Sequence, residues 1–169
     1  SDSEGQDSQE TNAGSIRINY NFYKTYSLKA ISSYSSIKQL HSYDGDWAND
    51  DYWLNEYGFN PTNEGYFWSF FDSNNRQRYN FSQELRVSNQ KSTFGLYYNK
   101  LTETDKATGY LYGGLADYAD GQFGFQKLAA YFQSFFDFSN LIKLDFSVRL
   151  EDYFYKYKGT STDNYYYET

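Results

Sequence analysis

The chain has 169 residues with 22 acidic and 15 basic side chains, a net charge of −7 and no cysteine, which excludes a disulfide scaffold and thiolate metal sites. Residues 1–14 and 44–75 together carry 11 of the 22 acids and no Lys or Arg. No nucleic-acid partner is therefore expected, because phosphate binding needs clustered cations. A run of 18 apolar residues is missing, which excludes a transmembrane helix but not a membrane-spanning strand.

Alternation of apolar and polar residues with a period of two predicts strands along most of the chain. It is clearest near 15–24, 76–88 and 141–158, and weaker near 27–43, 92–105 and 122–137. In the last clear run, five apolar residues alternate with charged or small polar ones: Ile142, Leu144, Phe146, Val148 and Leu150. In the clear runs one face is apolar and the other is polar, whereas the serine-rich run 27–43 does not specify which residues share a face.

The connections between these runs alternate in length. Two or three residues separate the first and second runs, the third and fourth, and the fifth and sixth, whereas 44–75 and 106–121 are long segments predicted to be loops. Short turns on one side and long loops on the other are typical of outer-membrane barrels. We expect a single all-β domain over 1–169, an antiparallel up-and-down meander of about six long strands. Because the smallest membrane barrels have about eight strands, this would be a partial transmembrane β-barrel; a long soluble amphipathic sheet is the alternative.

Several short stretches resemble a known family. They are the loop start DGD at 44–46, the strand FSQELR at 81–86, the strand GLYY at 95–98 and the hairpin end SVRLE at 147–151. In this order they are similar to the middle of the β-barrel of TonB-dependent outer-membrane receptors, although Ser147 stands where the family usually has Gly. The plug domain and the segment that contacts the energising partner are missing. The resemblance therefore implies a fragment of a barrel of about 22 strands.

What the resemblance implies about function is energised uptake of a scarce nutrient such as a ferric siderophore, across the outer membrane of a Gram-negative bacterium. The implied partners are outer-membrane lipid and lipopolysaccharide, the remainder of the barrel and its plug, and the inner-membrane TonB complex. The small-molecule ligand is not defined by the sequence. A surface or secreted β protein that binds glycan or protein through an aromatic acidic loop is the alternative function.

Charged residues on the polar face of the predicted strands are candidates for a lumen wall. They are Arg78, Glu84, Arg86, Arg149 and Glu151. Such a wall would steer a substrate or hold a plug. The simpler interpretation is that the charges neutralise one another across strands, at about 0.2 to 1 kcal/mol per pair.

The segment 44–75 is the best candidate for ligand binding, since it holds all three tryptophans among ten aromatics, with seven carboxylates and no cation. The candidate ligand-binding residues are Asp46, Trp47, Asp50, Tyr52, Trp53 and Trp68. Stacking on a sugar or a flat ligand is one interpretation, and packing against neighbouring loops or at the lipid headgroups is the other. The acids miss the EF-hand spacing. Catalysis is not expected, because His41, the single histidine, has no identifiable partner for a triad. No metal or cofactor is expected either, since the sequence has no zinc-site spacing and no Gly-rich phosphate loop.

Overall fold

The computed structural model describes residues 4–45, 47–60, 63, 70–111, 114–139, 141–162 and 166–168. Within these ranges the chain forms seven strands and one helix, in the order β1 (Gln6–Phe22), β2 (Tyr26–Asp44), α1 (Asp50–Tyr57), β3 (Phe70–Ser88), β4 (Ser92–Leu111), β5 (Gly114–Asp137), β6 (Lys143–Ser161) and β7 (Tyr166–Glu168). All seven strands belong to one sheet whose spatial order follows the sequence. Each neighbouring pair is antiparallel.

The predicted all-β antiparallel meander of six long strands is confirmed. The sheet is not closed, because its order begins at β1 and ends at the three-residue β7. The strands are longer than the period-two runs indicated. β1 begins at Gln6, where the prediction began at 15, and β3 begins at Phe70, where the prediction began at 76. Backbone ladder bonds continue through these added strand ends, which lack the alternation of apolar and polar residues that would signal a strand.

The long loop predicted over 106–121 is wrong. β4 continues to Leu111 and β5 starts at Gly114, with the two strands paired through this region and a register shift between Gly109 and Tyr110. Nine of these 16 residues are glycine, alanine or aspartate, which gives the segment the composition of a loop. An antiparallel ladder, however, depends on backbone groups rather than on composition. The segment 44–75 is also not a continuous loop, since it contains the end of β2, helix α1 and the start of β3.

Three tight turns lie at one end of the sheet. The β1–β2 turn places Tyr23 at a φ of +52°, in the left-handed region. In the β3–β4 turn the Asn89 side chain accepts hydrogen bonds from the backbone N–H groups of Lys91 and Ser92, at 2.8 and 2.7 Å. In the β5–β6 turn Ser139 Oγ accepts from Leu141 and Ile142, at 3.2 and 3.1 Å. We call this end the turn side and the opposite end, which carries α1, the loop side.

The sheet is a single layer with two unlike faces. Two complete cross-strand rows on one face are apolar: Ile18, Ala30, Leu85, Leu96, Ala130 and Leu150, and next to it Tyr20, Leu28, Val87, Phe94, Phe132 and Val148. We call these two rows, together with their apolar neighbours on the same face, the apolar band. The face that carries the apolar band is called the outward face. Among the described residues, only Ala48 and Ala129 are buried hydrophobics, and Leu150 is 72% exposed. No described part of the chain covers the apolar band.

Candidate functional site

The inward face, opposite the apolar band, carries a network of charges near the turn side. Arg86 Nη2 contacts Glu84 Oε1 at 2.7 Å within β3. Tyr131 of β5 reaches the same pair, because its hydroxyl donates to Glu84 at 2.5 Å and accepts from Arg86 Nε at 2.9 Å. The guanidinium carbons of Arg86 and Arg149 lie 5.9 and 5.6 Å from the Tyr131 ring centroid. Two cations thus share one aromatic ring.

A glycine makes this arrangement sterically possible. Gly95 of β4 is the register partner of both Arg86 and Tyr131, and it lies between β3 and β5. The Tyr131 side chain crosses β4 over Gly95, and a Cβ at this position would overlap the ring. The buried glycine therefore lets a β5 hydroxyl bond to β3 across the intervening strand.

The network continues on β6 around Glu151. Its carboxylate accepts hydrogen bonds from Arg149 Nε and the Tyr153 hydroxyl. Lys127 Nζ of β5 is 2.9 Å from the same carboxylate and 5.2 Å from the Tyr153 ring centroid. Glu151 is therefore the shared acceptor of two cations and one phenol. We call the residues around Tyr131 and Glu151 the turn-side network.

A second charge network lies on the same face nearer the loop side. Asp105 of β4 accepts from Arg76 Nη2 and from Asn74 Nδ2, both at 2.7 Å. Arg78 Nη2 is 2.5 Å from Glu103 Oε2. The two arginine side chains are 41% and 45% exposed, so each surface pair contributes at most about 1 kcal/mol.

The five residues predicted from the sequence to face a lumen lie on this single inward face, and each has an oppositely charged partner. The pairs are Arg78 with Glu103, Arg86 with Glu84, and Arg149 with Glu151. This pairing agrees with the simpler interpretation, in which the charges neutralise one another.

Sequence reasoning missed Tyr131, Glu103, Asp105 and Lys127 as members of the two networks. A signal was available, since counting outward from the tight turn at 89–91 pairs Arg78 with Glu103 and Arg76 with Asp105. The weak alternation of β4 and β5 concealed which of their residues share a face with the arginines.

Part of the predicted ligand-binding segment forms helix α1. Asn49 caps it, since its side chain accepts from the Tyr52 N–H at 2.9 Å, and Gly58 ends it in the left-handed conformation with a φ of 71°. Asp50 and Asp51 lie in the first turn, where negative charge interacts favourably with the helix dipole.

The helix carries an exposed group of aromatic rings. Trp53 is 5.4 Å from Tyr52 and 5.2 Å from Tyr57 between ring centroids, and Tyr52 is 6.1 Å from Tyr57. The hydrogen bond with Tyr57 raises the pKa of Tyr52 above its ordinary value. We call these three residues the aromatic cluster. The Tyr52 and Tyr57 side chains are exposed, and the carboxylates of Asp50 and Asp51 lie in the same helix.

The other predicted ligand-binding residues are dispersed. Trp47 is 81% exposed at a φ of 58°, and its N–H donates to Asp44 Oδ1 at 3.1 Å. Asp50 lies at the start of α1, with one carboxylate oxygen buried and without a hydrogen-bond partner in the described part of the chain. Asp46 and Trp68 lie outside the described residues. The structure thus brings Asp50, Tyr52 and Trp53 into one helix.

Strands β2 and β3, which flank helix α1 in the sequence, are joined by a hydrogen bond at their loop-side ends. The Tyr43 hydroxyl of β2 donates to Asp72 Oδ2 of β3 at 3.0 Å. This hydrogen bond to a carboxylate raises the pKa of Tyr43, since the phenol is held in its protonated form. The hydrogen bond therefore links the two strand ends between which helix α1 lies in the sequence.

Within the described ranges, no group of three or more His, Asp or Glu side chains is placed to hold a metal ion. No helix there combines the length and the apolar character that a bilayer crossing requires. The fold and its faces define the class: a single-layer antiparallel sheet with one apolar face and one face of paired charges. No protein-family model matches the chain, and no curated protein matches it significantly.

Proposed function

We propose that this chain is part of the wall of an outer-membrane β-barrel similar to a TonB-dependent receptor, and that the whole protein takes up a scarce nutrient such as a ferric siderophore. The observation that carries the proposal is the apolar band. On a soluble protein, apolar patches beyond a few hundred Å² are rare unless a partner covers them. Hydrocarbon is the partner that fits a band crossing all six long strands.

The height of the band supports a bilayer. Outward positions are apolar over nine residues on two strands, 79–87 on β3 and 128–136 on β5, apart from Gln83 and Ser134, and over seven residues, 144–150, on β6. A tilted transmembrane strand needs about 9 to 11 residues. Ser134 is buried and shares a hydrogen bond with Ser92, at 2.8 Å, so its polar group is satisfied. The strands extend beyond the band toward the loop side, as external strand ends do in such barrels.

The inward face supports a polar lumen. Its arginines and carboxylates would cost several kcal/mol each in hydrocarbon, but they are inexpensive in a wet interior, where four of the arginines, Arg76, Arg78, Arg86 and Arg149, also have carboxylate partners. The free edges of β1 and of the β6–β7 side also require neighbours, since unpaired strand amides in lipid are costly. The remaining strands of the barrel would supply these neighbours, its plug would contact the inward face, and the TonB complex would supply energy.

The aromatic cluster on α1 supports ligand recognition on the loop side. Aromatic rings in a segment that has seven carboxylates and no Lys or Arg favour a neutral, sugar-like or cationic ligand over an anionic chelate. The same cluster is compatible with the alternative function, a surface β protein that binds glycan through this segment. The two functions differ in what covers the apolar band.

The distinguishing experiment is a scan of labelled cysteines along β6. Because the chain has no native cysteine, single substitutions at 144–151 can each carry one nitroxide spin label after the chain is refolded with phosphatidylcholine vesicles. We expect collisions with lipid-soluble oxygen at the even positions and with a water-soluble nickel chelate at the odd positions. Even positions shielded from both reagents would refute the membrane proposal, since protein would then cover the band.

The receptor part of the proposal has its own test. The adjoining coding region should encode a plug domain on the amino-terminal side of this segment. If the adjoining region encodes further barrel strands but no plug domain, the membrane location would still hold. The assignment as a TonB-dependent receptor would then be wrong.

A further inference from the structure

A polar pair interrupts the outward face in the middle of the apolar band. Gln83 is the central residue of the stretch 79–87 on β3, and Ser32 of β2 is its direct register partner on the same face. Although the two side chains lie opposite each other, neither makes a hydrogen bond within the described ranges. By contrast, Ser134, the polar residue in the band on β5, bonds to Ser92 at 2.8 Å. Gln83 and Ser32 therefore leave an amide and a hydroxyl open on a mainly apolar face.

The neighbouring row combines a small residue with a large one. Ala30 of β2 and Leu85 of β3 are register partners on the outward face. Leu85 is exposed and Ala30 is half-buried, so the surface is recessed at β2 and raised at β3. Each of the two rows thus places unlike members side by side: a hydroxyl beside an amide, and a recess beside a protruding side chain.

We propose that the patch formed by Ala30, Ser32, Gln83 and Leu85 binds the same patch on a second copy of the protein within the membrane. We call these four residues the dimer patch. A two-fold axis along the membrane normal, passing between β2 and β3, places β2 of each copy opposite β3 of the other. Gln83 then bonds to Ser32 of the second copy, and Leu85 fills the recess over Ala30 of the second copy. The axis generates each contact twice.

Depth and complementarity favour a second copy over a different partner. The inference rests on the proposed function, because only in hydrocarbon are the open amide and hydroxyl deprived of water. A polar side chain in a bilayer needs a partner at its own depth, and small residues at the contact allow close approach. A second copy in the same bilayer presents Ser32 and Gln83 at that depth. The amide and the hydroxyl each donate and accept, so the pair complements itself.

The test measures association of the full chain in phosphatidylcholine vesicles by energy transfer between dye-labelled copies. The dyes are attached at Lys24→Cys, in the exposed β1–β2 turn, and the vesicles are diluted with lipid. Gln83→Leu keeps the bulk of the side chain and removes both hydrogen bonds. It should weaken association roughly tenfold, at about threefold for each bond. Gln126→Leu, the same change on the outward face of β5, should change association by less than about twofold.

Ala30→Leu tests the recess. It should weaken association by about tenfold or more, because Leu85 of the second copy then meets a side chain in place of the recess. Ala130→Leu is the matched control, since Ala130 lies in the same cross-strand row on β5, outside the dimer patch. It should leave association unchanged. If Ala30→Leu loses the alternating label pattern on β6, Gln83→Leu decides alone, since it adds no bulk.

Two results would overturn the dimer patch. The first is energy transfer that Gln83→Leu and Ala30→Leu leave as strong as their controls do, because the copies would then associate elsewhere, such as along their free strand edges. The second is a chain that shows the alternating label pattern on β6 but no energy transfer, which would leave the membrane proposal standing. A chain that shows neither would overturn both proposals.

Discussion

Tyr131 lies across Gly95, so a side chain from β5 bonds to residues of β3 over the strand between them. Gly95→Ala should displace the ring and break its hydrogen bonds to Glu84 and Arg86. We expect a loss of about 1 to 3 kcal/mol in the free energy of unfolding. Urea titration of the vesicle-bound chain, followed by far-UV circular dichroism, measures it.

The chain contains a matched control for this substitution. A Cβ on Gly14 would meet nothing within 4 Å, so Gly14→Ala changes the same two residue types in open space. It should be neutral or stabilise the chain by up to about 1 kcal/mol. If the two alanine variants unfold alike, Tyr131 does not occupy the place above Gly95.

The Tyr131 hydroxyl provides a second prediction. Tyr131→Phe keeps the ring between Arg86 and Arg149 but removes one donor to Glu84 and one acceptor from Arg86. The expected cost is about 1 to 2 kcal/mol. A double-mutant cycle with Glu84→Gln should give a coupling of at least about 0.5 kcal/mol, because both changes remove the same hydrogen bond.

Tyr97→Phe is the control for the hydroxyl. Its ring also faces a guanidinium, with Arg149 at 5.9 Å from the centroid, while its hydroxyl makes no hydrogen bond within the described ranges. It should change the free energy of unfolding by less than about 0.5 kcal/mol. An equal effect of the two phenylalanine variants would assign the stabilisation to the rings and not to the hydroxyl.

The sequence predicted the sheet well where one face was apolar. Period two identified the six long strands, because Ile142 to Leu150 and their counterparts repeat a clear pattern. It failed at 106–121, where glycine, alanine and aspartate carry no pattern and backbone pairing alone extends β4 and β5. The contacts of Tyr131 with Glu84 and Arg86 could not be predicted from the pattern of any single strand, since they depend on the register of β3, β4 and β5 together.

The unlike faces of β6 yield a prediction from two adjacent residues. Val148 is in the apolar band and Ser147 points inward. Val148→Lys should destabilise the membrane-bound chain by about 2 to 4 kcal/mol, the cost of a cation on the lipid face near the midplane. Ser147→Lys should cost less than about 0.5 kcal/mol, since it enters a wet face. Unfolding titrations in vesicles compare the two. Equal tolerance would mean that the band does not lie in hydrocarbon.

Helix α1 depends on its N-terminal cap. The role of this cap in positioning the aromatic cluster can be tested without knowing the ligand. Asn49→Ala removes the acceptor for the Tyr52 N–H and should weaken the helix by about 1 kcal/mol. Asn55→Ala replaces the same residue type inside α1, where alanine is the better helix former, and should preserve it. With Trp47 and Trp68 changed to Phe, the fluorescence of Trp53 alone reports on the cluster. Its emission should shift to longer wavelength in the Asn49 variant only, because fraying of the first turn exposes Trp53 to water. A shift in both variants would show that Asn49 does not hold the cluster in place.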